Sequence, residues 1–126
     1  MLARYKIFRG KRPDDDPLPS GLRKDTRWRT HHVLRPEKTI VDKFLEAPSD
    51  NAAWKKFAAA YHELLEERFA EDRGPFDELA KLAQDGDVHI GCSCPTQKNP
   101  DVNHCHTVLA LKFMAKKFPN LEVQFP

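Results

Sequence analysis

The longest uninterrupted periodic stretch of this chain begins at Asp50 and ends at Arg73. Trp54, Phe57, Ala58, Tyr61, Leu64, Leu65 and Arg68 recur at i, i+3, i+4 and i+7, which marks one face of an amphipathic helix. Lys55, Lys56, Glu63, Glu66 and Glu67 occupy the opposite face. Ser49 or Asp50 supplies an N-cap oxygen, and Arg73-Gly74-Pro75 ends the pattern. Trp54 and Tyr61 read as core, and His62 reads as a solvated neighbour.

The flanking segments alternate in type. Arg4 to Arg9 (RYKIFR) predicts a short strand. Lys11 to Gly21, with three prolines and three adjacent aspartates, is a loop. Leu22 to Thr30 predicts a short extended segment anchored by Trp28. Ile40, Val41, Phe44 and Leu45 predict a helix over Thr39–Ala47, which Pro48 stops. Pro75 suits the first turn of a further helix, whose stripe is Phe76, Leu79, Ala80 and Ala83 and whose cap is Gly86. Val88–Cys92 predicts a strand, His104–Phe118 a helix, and Leu121–Phe125 a last strand. The order implies a single three-layer α/β domain over residues 1–126, with a short, mostly parallel sheet flanked by helices.

Length and charge agree with this. A chain of 126 residues falls within the span of one domain. No apolar run approaches the roughly 20 residues of a membrane span, and the first residues lack the apolar stretch of a signal peptide, so the expected location is cytoplasmic. An odd cysteine count of 3 fits poorly with a secreted disulfide framework. Residues 1–40 carry 11 basic and 5 acidic side chains. That excess offers a surface for an anion, with Arg4, Arg9, Arg23, Arg27 and Arg29 as its candidates. No nucleic-acid motif accompanies it, so nucleic acid is not the expected partner. Nucleotide-loop, metalloprotease and serine-hydrolase signatures are also absent.

One segment concentrates chemistry. All three cysteines and two of the six histidines lie between Gly91 and His106. Cys92 and Cys94 fall at the carboxyl end of a predicted strand, where α/β sheets bind ligands. Cys105 falls in the first turn of the following helix, where free N–H groups and the helix dipole favour a thiolate. Three readings compete. Cys92, Cys94 and Cys105 with His104 or His106 would form a Cys₃His set suited to zinc, although a single Cys-x-Cys pair is unusual spacing. Alternatively, Cys105 is a nucleophile, His104 or His106 its base, and Cys92 or Cys94 a resolving thiol. The third reading leaves all three cysteines as core residues. A second cluster of Asp25, Arg27, Trp28, Arg29, His31 and His32 would place an acid, a guanidinium and an aromatic wall beside an anionic ligand, with Asp25, Arg27, Trp28 and His104 the expected ligand-binding residues. The alternative there is one packed tryptophan in a polar segment.

The segments YKIFRG, DTRW, FLEAPSDNAAWKKF and VHIGC…NHCHTVLALKF resemble, in that order, the domain-of-unknown-function family 488. The resemblance implies a small α/β fold and supplies no reaction. Asp25 and Trp28 match its Asp-x-x-Trp-like element, Cys92 its strand-end cysteine, and Cys105 and His106 the Cys-His of its helix start. Arg29 and Thr30 stand where that family typically has Pro-Arg. Cys94 stands for a glutamate, and Thr107 for an arginine that would be an anion ligand. The extra thiol strengthens a thiol or metal reading. The leading expectation is thiol redox or thiol-transfer chemistry at Cys92, Cys94, Cys105 and His106 on a small anionic or thiol-reactive ligand. The runner-up is a zinc-binding module using the same residues, and the weaker alternative is anion or nucleic-acid binding by the basic segment.

Overall fold

The computed structural model describes residues 1–48 and 50–126. Three strands, β1 (Leu2–Lys6), β2 (Leu22–Asp25) and β3 (Val88–Cys92), form an all-parallel sheet in the order β1-β3-β2. Four helices accompany them: α1 (Lys38–Glu46), α2 (Asn51–Glu71), α3 (Gly74–Asp85) and α4 (His106–Lys117). The expected α/β domain is therefore what the chain forms.

The central strand sets the bounds of its neighbours. β3 has five residues, and β1 pairs with it from Leu2↔Val88 to Lys6↔Cys92. Pairing thus begins at Leu2, two residues before the alternating run starts, because Leu2 is wholly buried beside Val88. The hydrogen bond from Ile7 N–H to Cys92 O (2.9 Å) extends the contact by one residue. β2 stops at Asp25, where β3 is about to end, and the chain turns over Arg27–Thr30 through Thr30 N–H to Arg27 O (3.0 Å). The predicted last strand is reduced to one parallel bridge, Leu2↔Val123. It is held by Leu2 N–H to Glu122 O and Gln124 N–H to Leu2 O, both 2.9 Å.

The start of β2 depends on Gly21. Its φ is +89°, and a Cβ there would lie 2.4 Å from the Asp87 carbonyl oxygen. That oxygen receives the Leu22 N–H at 2.9 Å.

The core lies on the sheet face bearing Leu2, Val88 and Ile90. Phe57, Tyr61 and Leu65 of α2, Phe76, Leu79 and Ala83 of α3, and Leu111 and Met114 of α4 pack into it. Each Leu, Val, Ile, Phe or Met among them contributes about 1.5–3 kcal/mol of burial free energy. On the other face, Tyr5 and His89 share a cleft with Phe8, Pro17 and Pro19. There residues of the Pro-rich loop line the cleft.

The long helix starts where one candidate cap placed it. The Asp50 side chain accepts the Ala53 N–H at 2.9 Å; Ser49, the other candidate, lies outside the described residues. The buried Tyr61 hydroxyl donates to Leu34 O (2.5 Å). The Arg68 guanidinium donates to Val33 O and Arg35 O (2.7 and 2.6 Å). These three bonds satisfy carbonyls that no strand or helix partners, and they lock the Val33–Arg35 segment onto α2. No helix among the described residues is long and apolar enough to cross a membrane.

Candidate functional site

The three cysteines converge from three kinds of local structure. Cys92 ends β3, Cys94 lies in the loop beyond it, and Cys105 is the N-cap of α4. Sequence periodicity puts Cys105 inside the helix. Instead a 3₁₀ turn over Val102–His104 precedes α4, and Cys105 is extended, at φ −126° and ψ 143°. The helix therefore begins two residues later than predicted, and Cys105 caps it rather than lying in its first turn. The three sulfurs all lie within 4.8 Å of one another.

Two of the sulfurs, those of Cys94 and Cys105, are held from outside the trio. The Asn99 amide donates to Cys94 Sγ (3.4 Å) and to His104 O (2.6 Å), tying the loop to the helix start. Cys105 is 2% exposed, and its Sγ accepts the Thr107 hydroxyl at 3.1 Å. That hydroxyl oxygen in turn accepts Arg4 Nε at 2.9 Å. Arg4 also donates to Cys94 O (2.6 Å). Thr107 occupies the position at which the resembled pattern has arginine, and a guanidinium reaches this place from β1 instead.

His106 is 5% exposed. Its Nε2 is 2.9 Å from Thr26 Oγ1, whose hydroxyl donates to Gly91 O at 3.0 Å. With that hydrogen committed, Nε2 must be the donor to Thr26. In the neutral ring Nδ1 is then left with its lone pair, 4.0 Å from Cys105 Sγ. Tyr61 meets the ring edge-on at 5.8 Å.

These contacts divide the thiols electrically. The neighbouring Cys92 and Cys94 thiols pull the Cys105 pKa well below the usual thiol value despite burial. Cys92 is pushed up by its hydrogen bond to Cys105, by that to Cys94, and by burial. Cys94 is pushed up first by its bond to Cys105. The close sulfurs thus favour a thiolate at Cys105 over one at Cys92 or Cys94.

The cluster opens onto a cavity of about 240 Å³. Arg9, Arg27, Arg29 and Lys98 line it, and among the described residues no carboxylate does. Arg27 is clamped by Asp25 through Nε (3.0 and 3.1 Å) and Nη2 (2.8 Å), leaving Nη1 3.4 Å from Ser93 Oγ. Burial works against the Asp25 carboxylate, but the Arg27 hydrogen bonds outweigh it and hold its pKa below the usual value. Asp25, expected beside the ligand, thus serves to orient Arg27. Trp28, 38% exposed, stands at the cavity mouth with Arg29 and Lys38 against its ring at 5.8 and 5.4 Å.

His104 lines the same cavity but does not join the sulfurs. Its ring stacks on Trp54 (4.8 Å, 19°) and its Nε2 is 3.8 Å from Asp101. Three sulfurs could hold an ion; of the two histidines, only His106 approaches one of them. The basic residues of the N-terminal segment disperse: Arg9, Arg27 and Arg29 face the cavity, Arg4 supports Thr107, and Arg23 donates to Pro19 O (2.9 Å). Thr26 and Asn99 are positioning residues that sequence reasoning missed, and Arg4 and Thr107, noted there for an anion surface and a replaced arginine, position Cys105 and Cys94 instead. No periodicity or motif marks Thr26 or Asn99: Thr26 acts through His106, far along the chain, and Asn99 lies in a loop without a regular period.

Comparison with curated proteins found no match, and comparison with solved structures found none. The family model described as the active DUF488-N3 subclade matches residues 14–118, and the chain therefore belongs to this DUF488 family, a domain of unknown function.

Proposed function

We propose that the protein performs thiol redox chemistry, with Cys105 as nucleophile and Cys94 or Cys92 as resolving thiol. The observation that carries this reading is the grouping of three sulfurs within 4.8 Å at a helix start that borders a cavity. The family's description as an active subclade fits chemistry at the site.

With a small disulfide as oxidant, the Cys105 thiolate attacks one sulfur. The S–S bond breaks, a mixed disulfide forms on Cys105, and a thiolate leaves. The Cys94 thiol then attacks Cys105 Sγ and expels the second small thiolate, which takes the Cys94 proton. Two protein thiols are oxidised by two electrons to one disulfide, and the small disulfide is reduced to two thiols. His106 Nδ1, 4.0 Å from Cys105 Sγ, is the base that takes the Cys105 proton before the first attack and gives it to the first small thiolate. Mass spectrometry of the folded protein after treatment with oxidised glutathione tests this. Mixed disulfide on Cys105, followed by a Cys105 bridge to Cys94 or Cys92, is expected. Three thiols left unmodified would end the reading.

The same grouping favours a second reading, a zinc-binding module that uses Cys92, Cys94, Cys105 and His106. Three cysteines and one histidine form a known tetrahedral zinc set. Metal content of protein purified without chelator or affinity metal separates the two. About one zinc per chain with inaccessible thiols supports the module; no zinc with reactive thiols supports redox chemistry.

A further inference from the structure

We propose that the substrate of this thiol site is an amphipathic anion: a flat apolar body bearing a carboxylate, sulfonate or phosphate head. The inference rests on the thiol reading and adds the chemical class on which it acts.

Charge is the first observation. Four cationic side chains line the cavity, and no described carboxylate faces it. Arg27 is partly neutralised by Asp25. Arg9, Arg29 and Lys98 enter no salt bridge among the described residues. Such an excess in a concave site focuses a positive potential and attracts anions. The clamped guanidinium is the geometrically fixed member. Its Nη1 points toward Ser93, one residue from Cys92, so a head group bound there lies beside the sulfurs.

The second observation is the opposite wall. Val41, Phe44 and Leu45 of α1 line the cavity with Pro36 and Phe57. α1 has no buried residue, and Leu45 is 40% exposed. A helix whose apolar side is left this open gains from an apolar body laid against it, because apolar surface is then removed from water. Trp28 at the mouth adds a flat aromatic surface. Fixed cations and an apolar wall together select a ligand with both characters. A free inorganic anion would use only one of them, and a neutral disulfide only the other.

Two aromatic disulfides distinguish these cases. 5,5′-Dithiobis(2-nitrobenzoate) carries two carboxylates, and 2,2′-dithiodipyridine is neutral at the same pH. Their reaction rates with the protein are measured by absorbance, each divided by its rate with free cysteine, and the modified residue is located by mass spectrometry. The anionic reagent is expected to be favoured by about tenfold or more at low salt, with the preference falling as salt rises. Arg29→Gln, at an exposed position, and Lys98→Gln should each lower the ratio of the two rates. Equal normalised rates at Cys105 would overturn the anion proposal while leaving thiol chemistry standing. If neither reagent modifies Cys105, the thiol reading itself fails and takes this proposal with it.

Discussion

His106 Nε2 lies 2.9 Å from Thr26 Oγ1, across a chain separation of 80 residues, and this bond fixes which ring nitrogen faces Cys105. Thr26 also hangs from β3, since its N–H and its hydroxyl both donate to Gly91 O (3.1 and 3.0 Å). The end of β2, the end of β3 and the start of α4 are thereby joined at one threonine. Thr26→Val keeps the shape and leaves a buried ring N–H without an acceptor. A loss of about 1–3 kcal/mol is expected, read from the denaturant midpoint. Thr26→Ser should retain most of the stability; equal losses in both variants would assign the effect to packing instead.

Cys105 should be the reactive thiol in mild acid. The neighbouring Cys92 and Cys94 thiols lower its pKa, while Cys92 and Cys94 are raised. At about pH 6 a free cysteine is mostly protonated, so iodoacetamide should label Cys105 in preference to its two neighbours. Thr107→Val removes the hydroxyl donor at 3.1 Å and should move the labelling profile to higher pH. Labelling of Cys92 ahead of Cys105 would contradict the assignment.

His32 predicts acid sensitivity. Burial, aided by the charge of Lys24, pushes its imidazole down to about 4. Its Nδ1 accepts the Leu34 N–H at 3.0 Å, which requires the neutral ring. The unfolded chain takes up the proton near pH 6.5. The folded state is therefore fully favoured above that pH and loses the contribution as pH falls toward about 4, by at most about 3 kcal/mol. Chemical denaturation across this range should show the decline, and His32→Asn should flatten it. An unchanged slope in that variant would place the acid sensitivity elsewhere.

Gly21→Ala should be costly although the residue is exposed. Its φ of +89° strains an L side chain, and the new Cβ would meet the Asp87 carbonyl oxygen at 2.4 Å. About 1–2 kcal/mol from the backbone conformation alone is expected, with the clash added. Gly10, at φ +72° with open space around it, is the control. Gly10→Ala carries the conformational cost without the clash, so similar midpoints for the two variants would show that the approach to Asp87 relaxes freely.

Much of the element order was legible because it is written in local periodicity. The stripes Trp54–Leu65 and Phe76–Ala83 and the breaks at Pro48 and Arg73-Gly74-Pro75 give α1, α2 and α3 to within a residue or two. The ends of the strands were not legible. Alternation over Arg4–Arg9 says that an extended segment exists, but β1 is defined by the five residues of β3 beside it. Leu22–Thr30 likewise becomes strand only as far as Asp25, where its pairing with β3 ends.

The sequence by itself determined that Cys92, Cys94, Cys105 and His106 sit at a strand end and a helix start, because spacing and punctuation are local properties. Only the tertiary structure decided how they differ. The Cys105 thiolate depends on two neighbouring sulfurs, and the His106 tautomer on Thr26. Arg27 depends on Asp25, and the cavity on apolar side chains of α1. Electrostatic and hydrogen-bond effects act over a few ångströms of space, whatever the distance along the chain. A pattern read along the chain names the groups, and the fold sets their protons and their neighbours.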